Sequence, residues 1–412
     1  MNVIFVTDSY YPNPSPNAIC VEKLRDVFNN RNIKTDIIAL RTFPKLMNNS
    51  TDEHVHFVSP DLLYELLYKY NKSDRKYLMK CVFFLFKIRS LFNGMFWPLM
   101  SIPHLFRYTI KIGKLLKQND GDTIVVGVYK SLEAALAGAI AKKIWGRGVY
   151  FLYTLDAVSG SIIPKIYGSA RISHNSIKRW ERFLFKNYDF LFLMSSHESY
   201  YSQKEYDLCR HNFRYVDIPL FAARKLSINI REDKIHLVFT GSLSTTTAYP
   251  VYLLKILDFL QDDSLTVDFY GNIADASILD LIEHSKYANY FGQLTHDEVV
   301  TKQNNADFLL NFGNDTPCAI PCKIFEYFST GKPVVSFLKI DEDASKLYVE
   351  KYPNSLIIDE RDSVEMSAQL FHNFIHTNHE IDIKKVELAF TDNAPESTVN
   401  KMINDFLSCR IV

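Results

Sequence analysis

The sequence predicts an α/β fold of two doubly wound domains, each a parallel sheet covered by helices. Three observations carry that prediction. Short apolar runs alternate with segments of helical spacing through both halves of the chain, as parallel sheets require. Between Asp217 and Asp233 the chain reads DIPLFAARKLSINIRED, which loses helical period, gains charge and separates the two series. At roughly 150 residues per domain, 412 residues build two to three hydrophobic cores. The domains then run over residues 1–217 and 235–390, joined by a linker at 218–234. Residues 391–412 remain as a C-terminal helix able to cross back to the first domain.

In the first domain VIFVT (3–7) is the opening strand. The helix after it starts at Asn17, with Val21, Leu24, Val27 and Phe28 at helical spacing. TDIIAL (35–40) and TIVVGV (123–128) follow as strands, then an alanine-rich helix from Ser131, the strand VYFLYT (149–154), a polar helix near 176–187 and the strand DFLFLM (189–194). In the second domain IHLVFT (235–240) leads into Gly241, a helix has Pro250 near its first turn, and LTVDFY (265–270) ends at Gly271 and Asn272. THDE at Thr295 to Glu298 spells a capping box, which starts a helix shortly after Gly292. DFLLNF (307–312), a loop, the helix PCKIFEYFSTG and the strand PVVSF (333–337) complete the series. No internal period of about 20–50 residues appears, which sets solenoids aside.

Composition removes several classes. Forty-seven basic residues balance forty-seven acidic ones, so the summed field of a nucleic-acid binder is missing. Six cysteines without a short-spaced framework fit free thiols in a reducing compartment. Cys318 and Cys322 lack a second Cys or His pair at ligand spacing, so no metal is expected there. The opening MNVIFVTDSYYP meets Asp8 too soon for a signal-peptide core, and no apolar stretch is long enough to span a bilayer. These features place the protein in the cytoplasm.

Residues 75–119 differ in kind. They hold Arg75, Lys76, Lys80, Lys87, Arg89, Arg107, Lys111, Lys114 and Lys117 without one acidic residue, mixed with CVFFLF, Leu91, Phe92, Met95, Phe96 and Trp97. Apolar groups beside unopposed cations suit the surface of an anionic membrane, because burial and lipid attraction add. The plainer alternative is a pair of core helices with snorkelling lysines.

Ligands of open parallel sheets bind outside the carboxyl ends of strands, here the loops after residues 7, 128, 154, 240, 270 and 312. No GxGxxG follows either first strand, and STGK at Gly331 and Lys332 lacks the earlier glycine of a phosphate loop, which argues against NAD chemistry and phosphate transfer from ATP. Within PCKIFEYFSTG, Pro321 suits the first helical position and Gly331 the stop. Lys323 and Glu326 then share one face. The lysine and the helix start can hold a diphosphate, and Glu326 can accept two hydroxyls such as those of a ribose. The plainer alternative is a surface ion pair. Asp341 to Asp343 (DED) satisfies a metal-binding D-x-D pattern, but acidic runs of this length are mostly solvated loops, and the reading stays metal-independent with no cofactor.

The run P-x-K-I-F-E-Y-x-x-x-G-K-P-V-V resembles the nucleotide-sugar signature of GT-B glycosyltransferases, particularly glycosyltransferase family 4. LVFTGSLS, VDFYGN, YFGQLTHDEV and DNAPESTVNKMINDFL resemble other parts of that fold, and VTDSYYPNPSPNA its acceptor-side loop. The resemblance implies two Rossmann-like domains facing across a cleft, a nucleotide-diphosphate sugar as donor and a hydroxyl acceptor, with retained configuration; the basic aromatic segment adds the expectation of a lipid-linked or glycan acceptor, as in bacterial surface-glycan assembly. It assigns the donor to Gly241, Ser242, Gly271, Gly292, Gln293, Cys318, Lys323, Ile324 and Glu326. Two departures stand out: position 318 is Cys where the family has a second glutamate, and SLSTTTAYP lacks the basic residue that many members carry after Gly241. On the acceptor side Asp156 sits just past a strand end and can accept or position the incoming hydroxyl's proton. Asn13, Asn17, Tyr129 and Lys130 occupy matching loops. A nucleotide-sugar 2-epimerase and a non-catalytic partner subunit of the same fold remain open alternatives.

Overall fold

The computed structural model describes residues 1–10, 15–41, 52–59, 62–71, 76–94, 99, 101–119, 121–156, 158, 170–224, 234–245, 248–315, 320–379 and 382–410. Contacts divide the chain into two compact units. Unit 1 comprises Met1–Pro219 with Pro395–Val412, and unit 2 comprises Leu220–Ala394.

Unit 1 is built on β1 (Asn2–Ser9), β2 (Lys34–Leu40), β3 (Val55–Val58), β4 (Thr123–Tyr129), β5 (Val149–Thr154), β6 (Phe190–Met194) and β7 (Phe213–Val216). They form one parallel sheet in the order β3-β2-β1-β4-β5-β6-β7. The order reverses between β1 and β4, so the carboxyl ends of those strands flank a switch point. Its helices are α1 (Pro16–Asn30), α2 (Leu62–Asn71), α3 (Lys76–Gly94), α4 (Ile102–Gln118), α5 (Leu132–Trp145), α6 (Ala170–Asn187) and the short α7 (Glu198–Tyr201). Helix α1 begins where it does because the Ser15 hydroxyl accepts from the Ala18 amide and Pro16 fills a position whose amide has no helical partner. Gly127 of β4 and Gly138 of α5 serve packing: the Tyr188 hydroxyl lies where a Cβ on either would be, and donates to the Ala135 carbonyl.

The basic aromatic segment divides into two helices with different roles. Helix α4 buries Leu105, Tyr108, Ile112, Leu115 and Leu116, and the Tyr108 hydroxyl donates to Thr7 O at 2.9 Å. It is therefore a core helix on its inner face. Its outer face carries Ile102, Phe106 and Ile110 into solvent, four residues apart, beside exposed Arg107 and Lys114. Helix α3 packs on α2 and exposes Tyr77, Phe83, Phe84 and Leu85, with Lys80 and Lys87 among them. No helix among the described residues is long and apolar enough to cross a membrane.

Unit 2 is built on β8 (Ile235–Thr240), β9 (Leu265–Tyr270), β10 (Ala288–Tyr290), β11 (Phe308–Phe312), β12 (Val334–Leu338) and β13 (Ser355–Asp359), all parallel in the order β10-β9-β8-β11-β12-β13. The switch point lies between β8 and β11. Its helices are α8 (Val251–Leu260), α9 (Ala276–Glu283), α10 (His296–Asn305), α11 (Lys323–Phe328), α12 (Lys346–Lys351), α13 (Val364–Ile375) and α14 (Ile383–Ala389). The capping box at Thr295 and Glu298 is formed in both directions. The last helix, α15 (Pro395–Ser408), belongs to unit 1, where Arg214 Nε donates to Asp405 at 2.8 Å and Lys401 Nζ to Tyr215 O at 3.0 Å.

One boundary corrects the sequence reading. Helix α11 starts at Lys323, two residues later than expected from Pro321, because residues 321–322 close a tight turn. The amides of Ile324 and Phe325 already donate to Pro321 O at 3.1 Å and Cys322 O at 3.3 Å. Those two amides are engaged within the turn in this structure.

Candidate functional site

At the carboxyl edge of the second sheet, the three loops that carry the predicted glycines are laced together. The Gly241 amide donates to Tyr270 O at 2.8 Å and the Gly271 amide to Gly292 O at 2.8 Å. Gly271 has φ +132°, and a Cβ there would stand 1.8 Å from Gly241 O, so only glycine lets the loops meet. Ser242 and Gln293 are both exposed at the same rim. Tyr270 and Phe291 stack at 5.1 Å, with Phe291 largely in solvent, giving the rim a flat aromatic face.

Helix α11 is anchored to this rim by Tyr327. Its buried hydroxyl accepts from the Thr240 amide at 3.0 Å and donates to Thr240 O at 3.1 Å, which fixes the preceding residue, Glu326, beside the end of β8. Gln303 of α10 is fully buried. Its Nε2 donates to Thr240 Oγ1 at 3.0 Å and to Glu326 Oε2 at 3.3 Å, while its Oε1 accepts from Arg224 Nη1 at 2.8 Å. The Arg224 backbone is held in turn by its amide bond to Ser329 O at 2.9 Å. Burial lowers the Arg224 guanidinium's basicity, and the Glu326 carboxylate offsets part of that. Lys323 Nζ, partly exposed, approaches Glu326 Oε2 at 3.6 Å. One carboxylate and two cations leave a surplus positive charge, which favours a bound anion.

The remaining calls in this unit divide. The Ile324 side chain is fully buried in the core, and its amide donates to Pro321 O. Cys318 lies outside the described residues. Both aspartates of the D-x-D run are committed elsewhere. Asp341 pairs with Arg361, while buried Asp343 accepts from the Ser345 amide and hydroxyl at 2.8 and 2.6 Å and from the Asn314 amide at 3.2 Å.

In unit 1 the Asn17 side chain donates to Tyr129 O at 3.2 Å, tying the first turn of α1 to the end of β4. This buried amide is a positioning group for both loops. Lys130 is exposed, and its charge partly offsets the burial that pushes the Asp8 carboxyl above its ordinary range, as does the Ser15 hydroxyl. Asn13 lies outside the described residues. Asp156 is exposed just after β5. Its charge reaches His197, whose ring is buried after β6; burial lowers the imidazole's basicity and Asp156 opposes the shift. His197 Nδ1, Ser196 Oγ, Thr7 Oγ1 and Thr154 Oγ1 are all buried without a hydrogen-bond partner among the described residues. All four sit at the carboxyl edge of this sheet, where an orphaned polar atom costs about 1–3 kcal/mol unless something meets it.

His197, Asp8, Gln303 and Arg224 escaped the sequence reading. The loop after residue 194 was not among the candidate loops, although the strand-end rule that selects Asp156 selects His197 as well. Asp8 directly follows an expected strand. Gln303 in mid-helix and Arg224 in the expected linker carry no local signal.

No protein-family model matches the sequence, and no curated protein resembles it. Solved structures do. A glycosyltransferase from Rickettsia africae superposes with a TM-score of 0.63 at 11% identity, covering 98% of this chain and 97% of its own. The apo form of the lipopolysaccharide outer core galactosyltransferase WaaB gives 0.59 at 11%, covering 99% of both chains. HepE from Anabaena, solved in complex with UDP, gives 0.59 at 12%, covering 99% of this chain and 100% of its own. The fold is GT-B. The GT-B likeness extends over both sheets, which agrees with the two switch points, one per unit. At these identities it speaks for the fold alone, so the chemistry must come from the side chains.

Proposed function

We propose that this GT-B chain is a glycosyltransferase that moves a sugar from a nucleotide-diphosphate donor to a hydroxyl acceptor. The observation that carries the reading is the Arg224–Gln303–Glu326 relay beside Lys323. It presents an oriented carboxylate for the ribose and surplus positive charge for the diphosphate. As the bond from sugar to phosphate breaks, negative charge grows on the leaving diphosphate, so cations fixed beforehand stabilise the transition state more than the ground state. Lys323 takes that part, with Arg224 holding the geometry behind it. Gly241, Ser242 and Gly271 bring backbone close to the phosphates, and Gly292 and Gln293 flank the base beside the Tyr270–Phe291 face. Both D-x-D carboxylates are engaged by protein groups, which supports a reaction that takes no metal from them.

On unit 1, Asp156 and His197 receive the acceptor hydroxyl, with Asn17, Tyr129 and Lys130 shaping the neighbouring loops. The exposed apolar faces of α3 and α4, with their lysines and arginine, favour a peripheral position on an anionic cytoplasmic leaflet, and hence a lipid-linked acceptor of the kind used in bacterial surface-glycan assembly. Retention of configuration is part of this proposal.

Thermal unfolding with nucleotide tests it. UDP or GDP at about a thousandfold excess over Kd should add about 4 kcal/mol of stability. Absence of stabilisation by both removes the enzyme reading. A donor screen against lipid acceptors extracted from membranes then separates transfer from epimerisation, since only transfer requires the acceptor.

A further inference from the structure

We propose that Asp262, His372 and His376 form a binding site for a divalent transition metal of the zinc class, at the amino edge of the second sheet. Helix α13 carries His372 in its last turn and ends at His376, its C-cap four residues on, so the two imidazoles lie side by side, their ring centroids 4.4 Å from each other. Gln261 ends α8 in the left-handed region, at φ +53°, and turns the chain so that Asp262 faces them. One ligand atom from each of the three residues lies within 4.8 Å of the others, and His376 Nε2 to Asp262 Oδ2 is already 3.2 Å. Ligands around a tetrahedral zinc, bonded at about 2.0–2.1 Å, stand roughly 3.3 Å apart. One edge of that polyhedron is therefore formed, and rotation of the exposed imidazoles closes the others.

Asp262 is held ready for the role. Its Oδ1 accepts from the Ser264 amide at 2.9 Å and hydroxyl at 2.6 Å, which leaves Oδ2 facing His376. Carboxylates oriented in this way by a second group are a feature of metal sites. Two imidazoles favour zinc, cobalt, nickel or copper over magnesium or calcium. A bare ion pair between Asp262 and His376 at a helix end needs no His372, yet His372 stands against the same ring. His379 has another role: its Nε2 meets Phe374 O at 2.8 Å and its ring packs on Phe374.

Strand β9 separates Asp262 from Gly271 by its whole length, roughly 20 Å at 3.3 Å per residue. The metal would thus sit away from the carboxyl edge, linking the end of α8 to the end of α13. It would act as a staple for unit 2, not in catalysis.

The test uses the full chain stripped of metal by a chelator. Zinc uptake is followed by equilibrium dialysis, and cobalt uptake by visible absorption. One equivalent should bind, with magnesium unable to compete, and thermal unfolding should shift upward. H372A, H376A and D262N should each weaken binding at least about tenfold. H284A, which removes the exposed His284–Asp280 pair of similar make-up, should change nothing. Circular dichroism verifies that each variant is folded, and D262N, nearly isosteric, guards against a general packing defect. No uptake at about 0.1 mM zinc, or uptake undiminished in H372A, overturns the proposal.

Discussion

The carboxyl edges of the two sheets are built in opposite ways. In unit 2 the polar groups of Thr240, Gln303, Glu326 and Tyr327 are bonded to one another, with Arg224 behind them. In unit 1 Thr7, Thr154, Ser196 and His197 bury polar atoms that no described protein group meets. A closed network fixes a carboxylate in one place before any ligand arrives, and a repeated ligand part such as a nucleoside diphosphate profits from that. Orphaned polar atoms store a cost that a hydroxyl-rich ligand or water removes on arrival. Under the proposed function, unit 2 supplies fixed recognition and unit 1 adaptable recognition.

Four substitutions and one double variant sharpen or break this contrast. The largest expected effect is on the open edge: Asp156→Asn should lower kcat by about a hundredfold if the carboxylate handles the acceptor's proton, with nucleotide affinity unchanged. The same change should lower the His197 pKa further, because the carboxylate that opposes the burial shift is gone; an NMR titration of the imidazole reads this directly. On the closed edge Glu326→Ala should weaken nucleotide binding by about thirtyfold, on the order of 2 kcal/mol, measured by calorimetry. Equal affinity would remove the ribose assignment.

Gln303→Ala strands Arg224, Thr240 and Glu326 together. It should cost on the order of 2 kcal/mol of unfolding free energy and weaken nucleotide binding as well, whereas a merely structural glutamine would change stability alone. The proposed membrane face belongs to unit 1, so K80E/K87E should weaken binding to anionic vesicles by about 1 kcal/mol per lysine without altering nucleotide affinity. A vesicle co-sedimentation assay that detects no difference speaks against membrane contact through α3.

Glu360, at the end of β13, probes the fixed unit from another side. Burial pushes its carboxyl up to about 7, with Lys339 opposing, and its Oε1 is buried without a described partner. The folded-state value lies above that of the free side chain, 4.5, so protonation favours the folded state. This contribution is complete below pH 4.5 and is lost as pH rises through about 7. Glu360→Gln should therefore match the parent at pH 4.5 and exceed its stability by on the order of 1–2 kcal/mol at pH 8, by denaturant titration.

Legibility in the sequence followed position in the sheet. The strands the sequence reveals are β1, β2, β4, β5, β6, β8, β9, β11 and β12. Those it misses, β3, β7, β10 and β13, are the four edge strands. Interior strands of a parallel sheet are buried on both faces and read as apolar runs, whereas an edge strand such as VHFV or ANY is short and partly exposed. Capping signals were legible at Ser131 and Thr295, because a cap is a local bond between near neighbours, whereas the helix expected from Asn17 is capped two residues earlier by Ser15. The length of α11 was not, since Pro321 suits a tight turn as well as a helix start.

For the site, the sequence by itself determined that Gly241, Gly271 and Asp156 lie in loops leaving strand ends and that Lys323 and Glu326 share one face of a helix. Those follow from local periodicity, composition and spacing. Only the tertiary structure decided that Gln303 and Arg224 stand behind Glu326, that Ile324 belongs to the core, and that His197 faces the charge of Asp156. The physical reason is range. A helix cap or an apolar run is written within a few residues, but a hydrogen bond spanning 79 residues, as from Arg224 to Gln303, exists only once the sheet has brought both ends together.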